Sequence, residues 1–245
     1  MSRSHETRIE IDAPIEEVWR AITEERELER WFAPIMKVTP GAGGSMSASW
    51  GPGMEGQPKP IEVWEPNRHL RVVEEREWTH GCDGSEQRGS SKAKIGYDYF
   101  LETTAGGKTL LRLVHSGFGD DASWDGEYEG TKSGWPTFFR TLKHGLERHP
   151  GVPCANKSLF HVVPGANAHQ ALDRLLAASG IQEEHAPGLY LGVIASLNDA
   201  LITAMGMQKG NDATLYIGLV LYGLTPERVA EVEAQWKQRL EALAA

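Results

Sequence analysis

Side chains able to do chemistry are few in this chain, and His115 stands first among them. It lies in Thr109-Leu-Leu-Arg-Leu-Val-His-Ser-Gly-Phe118. At the two-residue period of a strand, Thr109, Leu111, Leu113, His115 and Gly117 share one face and Arg112 lies on the other. A histidine among apolar neighbours either meets a backbone group or water inside a core, or anchors a polar atom of a bound molecule. With Tyr99 it could also move protons, although no second acid or base is evident. The acidic run Asp120, Asp121, Asp125, Glu127 and Glu129 could hold a cation, but reads better as a solvated lid near the positive end of a helix. His80 and Cys82 are close without a second pair of ligands, and His144 and His149 are expected on different helix faces. No metal site, cofactor or catalytic residue is therefore assigned. The chain has no Gly-x-Ser-x-Gly elbow, and Gly130-Thr-Lys-Ser133 is only a fragment of a phosphate loop.

The aromatic residues say more. Trp50, Trp78, Tyr97, Tyr99, Phe118, Trp124, Trp135 and Phe138 fall on segments expected to face one another. Any one of them can be core filling. Together they suggest a ring-lined concave space with a few polar tips, the usual form of a small-molecule site. Composition narrows the partners. A net charge of −9 without a basic stripe argues against nucleic acid and anionic membrane surfaces. Met1 to Arg8 holds no apolar run, so no signal peptide is expected. Leu189 to Ala204 is broken by Asn198 and Asp199, too polar for a membrane span. Cys82 and Cys154 lie in unrelated contexts and are expected as thiols in a reducing cytoplasm.

The elements that must position these residues come next. Arg8 to Ile11 reads as a strand. Asp12 is the expected N-cap of a helix carrying Ile15, Val18, Trp19 and Ile22 on one face. Thr23 is the expected cap of a second helix bearing Leu28, Trp31 and Phe32, ended by Pro34. Strands divided by glycine and proline turns follow to Thr104, with Met46, Ala48 and Trp50 on one side of the first and Gly81 to Ser91 as a polar loop. Ile95, Tyr97, Tyr99 and Leu101 alternate, and Ala105-Gly-Gly-Lys108 turns the chain into the strand of His115. A helix then carries Trp135, Phe138, Phe139, Leu142 and Leu146 on one face. It either starts near Ser123 and contains Pro136, or starts later with Ser133 as its cap.

Pro150-Gly-Val-Pro153 marks a boundary, giving an expected domain 1–152 and a smaller α+β domain 153–245. The second part reads as a strand from Ser158, a helix with Ala171, Leu172, Leu175 and Leu176 stopped by Gly180, and three strands. A last helix follows, with Thr225 as N-cap and Val229, Val232, Trp236, Leu240 and Leu243 as its stripe. This is either a reduced repeat of the first half or an unrelated appendage. It is expected to pack on the first domain or to support a homodimer.

In order and spacing, residues 5–150 resemble the helix-grip superfamily called SRPBCC or START-like, and within it the activator of 90-kDa heat-shock protein ATPase (Aha) homologue family. The likeness rests on Ala13-Pro-Ile-Glu-Glu-Val-Trp-Arg-Ala-Ile-Thr23, Trp31-Phe32, Ile61-Glu-Val-Trp-Glu-Pro66 with Leu70, Thr109 to Phe118, and Gly134-Trp135 with Leu142. Pro136, directly after the Gly-Trp pair, departs from the pattern. The resemblance implies an α+β helix-grip fold, an antiparallel sheet wrapped around a long helix, that binds a small hydrophobic or aromatic molecule. Trp50, Tyr97, Leu113, Trp135 and Phe138 are expected as walls, His115 and Tyr99 as polar anchors, and Phe118 and Trp124 at the mouth, with Trp78 as a further ligand-binding residue. The alternatives are a cavity enzyme of cyclase or hydrolase type using His115, and a chaperone-associated interaction protein.

Overall fold

A computed structural model describes residues 2–80, 86–179, 184–186 and 188–243. These fall into two compact units that meet in sequence at Pro150–Gly151. In the first unit, β1 (Arg3–Ile11) is followed by α1 (Ile15–Thr23) and the single turn α2 (Glu25–Leu28). Five strands come next: β2 (Ile35–Thr39), β3 (Ser45–Ser49), β4 (Lys59–Glu65), β5 (His69–His80) and β6 (Glu86–Thr103). Then β7 (Thr109–Phe118) leads into α3 (Asp125–Arg148). The seven strands form one antiparallel sheet in the order β1-β7-β6-β5-β4-β3-β2.

The core lies between this sheet and the helices. Trp135, Phe139 and Leu142 of α3 are buried with Val18, Trp19 and Ile22 of α1 and with Leu111 and Leu113 of β7. This is the helix-grip arrangement: one long helix whose apolar stripe closes over a sheet too wide to bury its own face. The longer version of α3 is the one formed. Pro136 sits inside it, where it cannot donate to the carbonyl four residues back.

Several local expectations are corrected. Asp12 caps no helix; α1 begins after Pro14, and the Asp12 amide donates to Glu147 Oε1 at 2.7 Å. Thr23 ends α1, its hydroxyl donating to the Trp19 carbonyl at 2.6 Å, and α2 has Glu24 at its N-cap. Residues 86–91, expected in a loop, belong to β6, because Glu86, Gln87 and Arg88 pair with His80, Thr79 and Trp78. Backbone pairing overrides a polar composition there. The remainder of that expected loop, residues 81–85, lies outside the described residues, as does the expected helix stop Gly180.

The second unit comprises β8 (Cys154–Val163), α4 (Ala168–Ser179), β9 (Glu184–Ala186), β10 (Leu189–Ile194), β11 (Ala200–Lys209), β12 (Asp212–Tyr222) and α5 (Pro226–Glu241). Thr225 caps α5, its hydroxyl accepting from the Arg228 amide at 3.3 Å. The sheet order is β8-β12-β11-β10-β9. The connections match those of the first unit with two strands fewer. In each, the first strand pairs with the last, the sheet runs back in order to the second strand, a helix follows the first strand and another closes the unit.

Candidate functional site

Alternation on β6 turns Tyr97 and Tyr99 toward the helices, where both rings meet Trp135 of α3 edge-on at 6.3 and 6.1 Å. In front of these three rings is a hollow. About 70 Å³ of it is open to the centre of a water-sized sphere, and its total empty space, open mouth and adjoining solvent included, is about 540 Å³. One water takes up about 10–15 Å³ on the first measure, so the hollow has room for several waters or one small ring. Ile22, Leu28 and Trp31 of the early helical segment and Met36, Met46 and Val72 of the sheet line it. The half-buried residues Phe32, Ser47, Ala48 and Lys59 complete the lining and mark the mouth. The lining is overwhelmingly apolar, so a guest gains most from leaving water.

Phe32 organises the mouth. Its ring stacks on Trp135 at 5.7 Å and meets Phe138 at 5.1 Å and Trp50 at 5.6 Å, while Trp50 and Phe138 touch at 5.7 Å. Both stacked and edge-to-face ring contacts, the favoured aromatic geometries, thus meet at Phe32.

Of the residues expected at a site, Tyr97, Tyr99 and Trp135 line the hollow. Trp50 and Phe138 stand beside Phe32, outside the lining. Leu113 is 1% exposed within the solid core. The side chain of Trp78 and those of the His80–Cys82 pair lie outside the described residues. Phe118 and Trp124, expected at the mouth, are instead fully buried, in a separate cluster with Ala93 and Ile95. The reason is Gly117. Its φ of +92° makes a bulge, so that Arg3 pairs with Phe118 but Ser4 with Ser116, and Phe118 turns back onto the inner face.

His115 is 1% exposed and walled off from the hollow. It stacks on Tyr97 at 4.2 Å, meets Phe118 at 4.6 Å and His5 at 5.1 Å, and accepts a 3.1 Å hydrogen bond at Nδ1 from Trp135 Nε1. Burial, aided by the neighbouring His5, pushes its pKa down to about 2, so it is neutral. Its Nε2 has no partner among the described residues. His5 is likewise pushed down to about 4, by burial and then by Lys132. The two histidines face each other across the β1–β7 pairing and fill the interior behind the Tyr97–Trp135 wall.

Charge near the hollow is arranged in a row. Lys59 Nζ lies 3.1 Å from Glu74 Oε2 and 5.4 Å from the centre of the Tyr97 ring. Arg76 bonds the other oxygen of Glu74 at 2.7 Å and reaches Glu127 Oε1 at 2.6 Å. Burial opposes the Glu74 charge, but the Arg76 hydrogen bond and Lys59 outweigh it and hold the carboxyl below its ordinary range. The Tyr97 hydroxyl donates toward Glu74 Oε2 at 3.4 Å, and burial pushes that phenol well up. Tyr99 is different: burial raises its pKa too, but its hydroxyl bonds none of the described residues.

In the acidic run, Asp120, Asp125 and Glu129 are exposed, as a solvated segment would have them. Glu127 is paired inside the unit, Asp125 meets Arg3 at 2.5 Å, and Asp121 accepts from the Ser123 amide at 3.1 Å. His144 and His149, expected on different faces, have ring centres 5.3 Å apart. No three His, Cys, Asp or Glu residues converge as a metal site among the described residues. No helix among them is long and apolar enough to cross a membrane.

Sequence reading missed most of the lining. Ile22, Leu28, Trp31 and Phe32 were legible as the apolar stripes of the early helices, but nothing in the pattern said which of them would edge a hollow. Lys59, between Pro58 and Pro60, gave no signal at all.

The protein MLL2253 of Mesorhizobium loti is similar in structure, with a TM-score of 0.50 and 26% identity over 60% of this chain and 98% of that one. The Aha1 dimer of Colwellia psychrerythraea matches 61% of this chain and 98% of its own at 19% identity, with a TM-score of 0.44. DynU16, from the dynemicin biosynthetic locus, matches 98% of this chain and 94% of its own at 18% identity, also with a TM-score of 0.44. No curated protein matches the sequence. Residues 12–147, more than half of the chain, match the family model described as Activator of Hsp90 ATPase homolog 1-like protein, and the chain belongs to that family.

Proposed function

We propose that the first unit binds a small apolar or aromatic molecule in the hollow between Tyr97, Tyr99 and Trp135 and the early helices. The observation that carries this reading is a ring-lined, largely apolar hollow bordering the core of the unit. Membership of a helix-grip family supports a ligand-binding fold. Proton transfer by His115 fits poorly, since that ring is neutral, tied to Trp135 and absent from the lining. The test is to titrate the whole chain with neutral monocyclic aromatics and follow tryptophan emission and heat, because Trp31 and Trp135 are in the wall. Saturable binding that Ala48→Phe removes by filling the hollow is expected. Absence of any saturable signal would sink the proposal.

The family description gives a second reading, association with a heat-shock ATPase. Its test is whether the purified chain raises the turnover of such an ATPase. Unchanged turnover and no retained complex in a pull-down would remove it.

A further inference from the structure

From the polar groups around the hollow we infer that its guest carries an anionic acceptor, a carboxylate in the simplest case, on its apolar body. This rests on the binding reading above and adds the chemical class. Every polar side-chain group available to a guest is a donor or can act as one: the Lys59 ammonium, the Tyr99 hydroxyl and the Ser47 hydroxyl. The indole N–H groups of Trp31 and Trp135 are already given to the Ala21 carbonyl and to His115. No carboxylate lines the space. Glu74, beside Lys59, is already shared by Lys59 and Arg76, so a guest's ammonium would have to compete with both for it, and a plain hydrocarbon would leave the Tyr99 hydroxyl without a partner among the described residues.

The charge row points the same way. Glu74 is shared between Lys59 and Arg76, and Arg76 between Glu74 and Glu127, so four alternating charges end in a cation at the hollow. A carboxylate placed there continues the alternation. Lys59 is held by Glu74 on one side and by the Tyr97 ring face on another, so its ammonium is already in place before a guest arrives. The whole chain, at −9, repels anions at long range. Any preference for an anion must therefore be local to the site.

The experiment compares benzoate, benzyl alcohol and benzylamine, one ring with three head groups, by calorimetry on the full chain, together with Lys59→Met, Lys59→Arg and Tyr99→Phe. Benzoate is expected to bind about tenfold tighter than benzyl alcohol, the worth of one charge-assisted hydrogen bond, with benzylamine weakest. Lys59→Met should erase the margin of benzoate over benzyl alcohol, both measured on that same variant, and Lys59→Arg should keep most of it. Equal affinities, a preference for benzylamine, or a benzoate margin that survives Lys59→Met would overturn the anionic class and leave the binding reading standing. If none of the three rings binds, both fall. Thermal melts of the variants separate a lost anchor from a lost fold.

Discussion

Two units of one connectivity have filled themselves differently. Buried inside the first are Trp19, Trp31, Trp135 and Phe139, with Phe32, Trp50, Tyr97, Tyr99 and Phe138 packed against them. Among the described residues, the main core of the second is built from Ala, Val, Leu and Ile with one buried ring, Trp236, and Tyr222 is buried in a smaller cluster beside it. Hollows of the second unit lie along the edge strand β8 and α5. Large rigid rings border the hollow of the first unit, whereas small branched side chains fill the main core of the second.

The largest effect should break that contrast if it is wrong. Leu215→Ala, at a fully buried position in the second unit, is expected to lower stability by about 2–5 kcal/mol, as truncation in a filled core does. Met46→Ala, at the edge of the hollow, should cost only about 1–2 kcal/mol because it enlarges space already present. Chemical unfolding of the full chain measures both, and equal losses would refute the distinction.

Next comes the filled end of the first unit. Gly117→Ala should cost more than about 2 kcal/mol in the same assay. The residue has a φ of +92°, and a Cβ there would lie 2.0 Å from the Lys94 carbonyl oxygen, which is backbone and cannot move aside. A loss below about 0.5 kcal/mol would mean that the bulge is not held by this glycine.

His115 gives a third, pH-dependent effect. Its folded pKa, about 2, lies below the ordinary 6.5, so the unfolded chain takes up the proton first. Stability from this group is complete above about pH 6.5 and falls by about 1.4 kcal/mol for each unit below it, until the folded pKa is reached. His115→Gln keeps an acceptor for Trp135 and does not titrate. Its unfolding free energy should fall less steeply than that of the parent between about pH 6.5 and 4.5; identical slopes would show that the ring is not held neutral. The smallest effect is Tyr99→Phe. Removing a hydroxyl that bonds none of the described residues should change stability by less than about 0.5 kcal/mol, and any larger loss would reveal a bond that ties up this group.

Sequence legibility follows the same physical divide. The strict alternation of Ile95, Tyr97, Tyr99 and Leu101 identified β6 and aimed the two tyrosines correctly, because side-chain direction on a strand is a local property. The period of Trp135, Phe139 and Leu142 did the same for α3. Phe118 was misplaced because one glycine breaks the alternation, and nothing in a two-residue period announces a bulge. Glu86 to Arg88 became strand only by pairing with β5, a non-local effect. Lys59 and Met46 reach the hollow through a strand pairing forty to fifty residues from the tyrosines, beyond the range of any local pattern.

The glycine bulge in β7 has one more consequence. By turning Phe118 inward three residues after His115, it stoppers the interior on that side with a ring stacked on His5 and edge-on to His115. A guest proposed for the hollow would find that side of the interior already occupied by side chains.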